Sequence, residues 1–213
     1  MSVILFVDGE NFKKRIKDVL SIEGVIKEKE RDNLDWVRFD FNGLFNQVLQ
    51  GIEINNKIFY SAKIKEHPAT LEKSKILIQR SRSLKSHLES ESQKLEVVMA
   101  GSVRGHSKEE IMECKKCHFI EKKTVTIFKE KGVDVRIAVD MVSMVCDNLL
   151  ETAVLASSDS DLQPAIKELR KRGKKIIYVG FENDPNKGIS FTSNRTVLIR
   201  NSEIVAHYQK TLV

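Results

Sequence analysis

Three short apolar runs, residues 3–7 (VILFV), 153–156 (AVLA) and 175–179 (KIIYV), carry no polar residue at every second position. A strand with one wet face alternates, whereas a strand covered on both faces does not. All three runs are therefore expected as central strands of a mainly parallel sheet. Each of the first two is followed by polar residues and then apolar residues at helical spacing, Phe12, Ile16, Val19 and Leu20 in one case, Leu162, Ala165, Ile166 and Leu169 in the other. A third helix is predicted over 134–149, with Ile137, Met141 and Val145 on one stripe and Asp134 as its N-cap. Strand and helix in alternation predict a Rossmann-like, doubly wound α/β fold with helices on both faces.

The helix after 153–156 has start signals in Ser160 and Gln163, a capping-box pair, and in Pro164, with Gly173 as its stop. Weaker patterns predict a helix near 36–50, a strand near 57–62, a basic helix near 70–92 and a strand near 95–100. Two polar stretches without periodicity, about 21–35 and 101–123, read as insertions at the sheet's edges within a single domain spanning 1–213. No apolar run reaches the ~20 residues of a membrane span. Met1 opens onto the first strand run without a basic leader, so neither membrane nor export is expected. Three cysteines make no disulfide framework, which fits a cytoplasmic protein. Thirty-six Lys and Arg against 30 Asp and Glu give a net charge of +6, a surplus compatible with a polyanionic partner.

In open parallel sheets the site lies beyond the carboxyl ends of the strands. Asp8 directly follows residues 3–7, Asp159 and Asp161 follow 153–156 within Ser157-Ser158-Asp159-Ser160-Asp161, and Asp134 opens the helix over 134–149. Each alone reads more readily as a turn or cap residue than as a ligand. Gathered together they would repel unless a cation held them, and hard oxygen donors suit Mg²⁺ or Mn²⁺. The chain has no P-loop and no G-x-G-x-x-G after its first strand, and Glu10 stands where a phosphoaspartyl phosphatase carries a second Asp. Metal-assisted chemistry on phosphate remains.

Phe6-Val7-Asp8-Gly9-Glu10-Asn11, then Glu130-Lys131-Gly132-Val133-Asp134-Val135 leading into Ala138-Val139-Asp140, then Ser157-Ser158-Asp159-Ser160-Asp161-Leu162 resemble the three signature blocks of the NYN domain, a PIN-like nuclease family. The resemblance covers residues 1–20 and 129–181. It implies a metal-dependent ribonuclease in which Asp8, Asp134, Asp159 and Asp161 hold one or two Mg²⁺ or Mn²⁺ ions and Asn11 positions a ligand or water. Single-stranded RNA is the implied substrate, and a homodimer the implied assembly. Asp140 also matches the pattern, but it sits six positions after Asp134, about 240° around an ideal helix. Asp140 therefore takes either a metal role or a simple ion pair with Arg136. A structure-specific DNA nuclease, a nucleic-acid- or protein-binding regulator with a degenerate site, and a small-molecule phosphohydrolase are the competing readings.

Substrate phosphates call for cations near the acidic mouth. Lys131, beside the Asp134 turn, and Lys73, Lys75 and Arg82, on the basic helix, are the candidates, with Ser158 as a further phosphate contact. Few aromatics are interleaved with the basic stretches, so no base-stacking platform is predicted. Cys114-x₂-Cys117 with His106 upstream has half of a zinc site's spacing, so a zinc ion there is a minor expectation. Cys146 lies on an apolar helix and is expected in the core.

Overall fold

A computed structural model of the chain describes residues 2–66, 68–113 and 120–208, the side chains of 69, 104–108, 110–113, 121 and 123–126 excepted. Its seven strands are β1 (Val3–Asp8), β2 (Asn56–Lys63), β3 (Glu96–Glu113), β4 (Ile120–Lys131), β5 (Thr152–Ala156), β6 (Lys175–Phe181) and β7 (Arg195–Ile199). They form one sheet in the order β4-β3-β2-β1-β5-β6-β7, parallel except for the β3–β4 pair. Helices α1 (Gly9–Ile22), α2 (Phe41–Val48), α3 (Leu71–Leu88), α4 (Val133–Cys146), α5 (Gln163–Lys171), α6 (Lys187–Thr192) and α7 (Asn201–Ala206) connect them. The fold is the mixed, mostly parallel α/β arrangement expected.

Both faces of β1 are buried because successive side chains point to opposite sides. Leu5 and Val7 join Phe12, Ile16, Phe45 and Phe59 in one core, while Ile4 and Phe6 join Tyr60, Ile137, Met141 and Ile166 in the other. Strand order reverses at β1, whose neighbours β2 and β5 carry the chain to opposite edges. The carboxyl ends of β1 and β5 therefore border a crevice.

Several local expectations are corrected. The helix expected near 36–50 is a 3₁₀ turn, Trp36–Arg38, followed by α2, because the Asp40 side chain accepts from Gly43 N at 2.9 Å and starts a new helix. Asp134 is not the N-cap of α4. Gly132, with φ 92°, takes that place, a left-handed conformation that suits glycine, and Asp134 falls in the first turn, where its charge meets the positive end of the helix dipole. Ser160 and Gln163 form no capping box. Asp159 caps a 3₁₀ turn, Ser160–Leu162, by accepting from Asp161 N at 2.9 Å. Cys146, the last residue of α4, is exposed rather than in the core.

The stretch 101–123 is largely strand. Residues 102–113 and 120–131 pair antiparallel, whereas β2 pairs with β3 only as far as Ser102. Beyond that point, among the described residues, β3 pairs with β4 alone, as a two-stranded arm. Cys114 and Cys117, with the side chain of His106, lie outside the described residues.

Candidate metal-binding crevice

β1 delivers Asp8 to the crevice, 3% exposed. One carboxylate oxygen accepts from Asn11 N at 3.2 Å and caps α1; the other accepts from the Ser157 hydroxyl at 2.8 Å. Gly9 is required next, since a Cβ there would stand 2.4 Å from the Tyr60 carbonyl oxygen of β2. Ser157, buried at the end of β5, also accepts from Asp159 N at 3.1 Å. Asn11 Oδ1 accepts from both the amide N (3.1 Å) and the hydroxyl (2.9 Å) of Ser158. These bonds clasp the β1 and β5 loops together.

Asp8, Asp134, Asp159 and Asn11 line one cleft of about 460 Å³, together with Glu10, Glu130 and the cations Lys13, Lys14, Lys17 and Arg31. Burial foremost pushes the Asp8 carboxyl up to about 6, with Asp134 and Asp159 adding to it and the Ser157 and Asn11 hydrogen bonds opposing. Asp134 is raised by burial and then by the charge of Asp159. Burial, then the charges of Glu10 and Asp8, pushes Glu130 up to about 8. Its Oε2 is buried with no hydrogen-bond partner among the described residues. Among those residues no three His, Cys, Asp or Glu are grouped closely enough to form a ready metal cage. Oxygen donors that burial and mutual repulsion hold above the ordinary carboxylate range are nonetheless the donor set a hard divalent ion would relieve.

The remaining expected residues fall elsewhere. Asp161 is exposed and lies outside the lining, reaching Asp134 only through its field. Asp140 accepts from Arg136 Nε at 2.8 Å and from the Tyr60 hydroxyl at 3.0 Å, which makes it the structural partner of those two side chains. The Ser158 hydroxyl is engaged by Asn11 and by Arg15 Nε at 3.3 Å. Lys131 is exposed and does not line the cleft. Lys73 and Lys75 are exposed on α3, Lys75 pairing with Glu72 at 3.5 Å, and Arg82 borders a separate small cleft with Lys63 and Lys85.

Sequence reasoning passed over Glu130 and the lysines of α1. Lys13 and Lys17 stand four residues apart on the helix that Asp8 caps, a spacing that places both on one side. That signal was readable. Glu130 had none, since its burial comes from tertiary contact.

A doubly wound sheet with acidic side chains at its reversal point defines an α/β protein of the kind that works on ligands at strand ends. The chain belongs to the NYN domain family, whose model matches residues 2–199, and so to the PIN-like nucleases. Fifty residues are 40% identical to Uncharacterized protein MJ0482 of Methanocaldococcus jannaschii, a match over 24% of this chain and 21% of that protein, so the chain spans about a fifth of that relative's length. A protein of unknown function, VPA0982 from Vibrio parahaemolyticus, superposes with a TM-score of 0.49 at 16% identity, covering 93% of this chain and 92% of that one. A structure from work on the mechanism and regulation of Sir2 enzymes gives 0.40 at 11% identity over 97% and 90%. No helix of the described residues is long and apolar enough to cross a membrane.

Proposed function

We infer that the protein is a Mg²⁺- or Mn²⁺-dependent ribonuclease, acting on single-stranded RNA at the crevice between β1 and β5. The observation that carries this reading is the convergence of Asp8, Asp134 and Asp159 in one cleft of an NYN family member. Asp8, Asp134 and Asp159 would hold the ion, with Glu130 as a further oxygen donor and Asp161 supporting through its charge. A bound divalent ion would supply electrophilic stabilisation of the phosphate and an activated water.

The chain's own residues do the rest. Ser157 and the Asn11 amide fix the Asp8 carboxyl, so its oxygens are presented without rotamer freedom. Asn11 Oδ1 is committed to Ser158, which leaves the amide NH₂ to donate to a substrate phosphate or water. Lys13 and Lys17, on the cleft wall, offset the negative charge an RNA strand brings to an acidic centre. Half-burial holds the Lys17 ammonium below its ordinary range.

The test is cleavage of labelled single-stranded RNA by the purified chain with Mn²⁺ or with EDTA, beside the Asp159→Asn variant. Cleavage with the metal alone, lost in the folded variant with RNA binding kept, is expected. Cleavage surviving EDTA or Asp159→Asn refutes the reading. Cleavage confined to DNA assigns the site to the alternative substrate, and folded protein that binds RNA without cutting it under any metal assigns it to a regulator.

A further inference from the structure

We propose that the 3₁₀ turn at Trp36, helix α3 and the base of the β3–β4 arm form a nucleoside subsite that stacks an unpaired base of the RNA strand beside the acidic centre. This rests on the ribonuclease reading and adds to it what part of the substrate is held, and by which side chain.

A second cleft of about 340 Å³ opens directly from the metal-binding crevice, sharing Glu10, Lys13, Lys17, Asp32 and Glu130 with it. Its far side is lined by Trp36, Phe128, Leu77, Leu84, Lys65 and Arg80. Trp36 is half-buried; its ring packs against Phe41 at 6.1 Å and Phe39 at 6.4 Å between centroids, so the core fixes its plane. Lys13 and Lys17 each place Nζ 5.9 Å from the Trp36 ring centre. A third cleft, of about 380 Å³, continues past Trp36 between the turn and α3.

The chemistry of this sequence of clefts is that of a single nucleic-acid strand. Aromatic faces accept any base by stacking, and flanking cations take the phosphates. Two ammoniums near an indole, that of Lys13 also paired with Glu10, are themselves replaceable occupants. An incoming base takes the ring face, and Lys13 and Lys17 turn from the indole to the phosphate that links that base to the scissile bond. Arg80, held by the Asp32 carbonyl at 3.3 Å and Asn33 Oδ1 at 3.0 Å, supplies a fixed charge on the opposite wall. A paired base has both faces stacked inside its helix and cannot enter, so the subsite selects RNA that is single-stranded next to the cut.

Trp36 is the chain's sole tryptophan, so its fluorescence reports this subsite without any substitution. In EDTA, a six-nucleotide oligouridine should quench it saturably, and an abasic phosphodiester of equal length and charge should not. Trp36→Leu, which keeps an apolar contact with Phe39 and Phe41, should raise KM for single-stranded RNA about ten- to a hundredfold, with kcat changed less than about threefold. Trp36→Phe should recover most of the loss. Equal response to the base-bearing and abasic strands overturns the subsite. So does cleavage whose KM is indifferent to Trp36→Leu. Quenching without cleavage under any metal leaves the subsite standing and overturns the ribonuclease reading, and absence of both overturns both.

Discussion

Replacing Asp8 with Asn isolates the electrostatic cost of the crevice. The carboxyl titrates near 3.8 in the unfolded chain and at about 6 in the folded one. Its folded pKa is raised, so below pH 3.8 it is protonated in both states and costs nothing. As pH rises through about 6 the unfolded chain ionises first and stability is lost. At ~1.4 kcal/mol per pKa unit the loss above pH 6 is on the order of 3 kcal/mol. Asparagine carries no charge and caps a helix as well as aspartate does. It has one acceptor oxygen for two donors, Asn11 N–H and the Ser157 hydroxyl, which costs ~1 kcal/mol. The net gain is ~2 kcal/mol, or about 4–8 °C in Tm for a chain of this size. Thermal unfolding in EDTA should show Asp8→Asn melting above the parent protein at pH 8, with the advantage gone or reversed at pH 4. Added Mn²⁺ should raise Tm of the parent, by ~2.7 kcal/mol of stability at a hundredfold excess over Kd, and leave the variant unmoved. A variant that melts lower at pH 8 in EDTA, or that keeps the full Mn²⁺ shift, refutes the argument that burial and repulsion at Asp8 await a cation.

Two further outcomes separate structural from functional charges. Tyr60→Phe removes the hydroxyl that donates to Asp140 at 3.0 Å, and should cost ~1 kcal/mol in chemical denaturation with cleavage rate and Mn²⁺ affinity unaltered; a matching fall in Mn²⁺ affinity would return Asp140 to the metal site. Charge reversal at Lys73 and Lys75, exposed on α3, should change RNA affinity less than reversal at Lys13 and Lys17, and the latter pair should flatten its salt dependence; the opposite ranking, read by titration at two salt concentrations, would move the RNA path onto α3.

The parts legible in the sequence were those whose burial is two-sided or whose role is set by chain order. Residues 3–7, 153–156 and 175–179 read as strands because β1, β5 and β6 are covered on both faces. Asp8 and Asp159 could be sought at strand ends because the topology rule places sites there. The arm of β3 and β4 was illegible, since residues 101–123 are mostly polar and show no apolar alternation although they pair antiparallel. Trp36 was illegible for a different reason. Its basic neighbours Lys13, Lys17 and Arg80 lie on α1 and α3, far from it in sequence, and a polar segment carries it across to them. Cations and an aromatic that are interleaved only in space leave no linear trace.

The clasp of Asn11 on Ser158 and of Asp8 on Ser157 ties together positions 147 and 149 residues apart. Neither half of the chain holds a fragment of the crevice that could operate alone. Contacts of such separation close late, after the local helices and hairpins have formed. In refolding, helical signal should therefore return before the crevice between β1 and β5 is assembled. The assembled crevice is in this sense the molecule's own certificate that folding has finished.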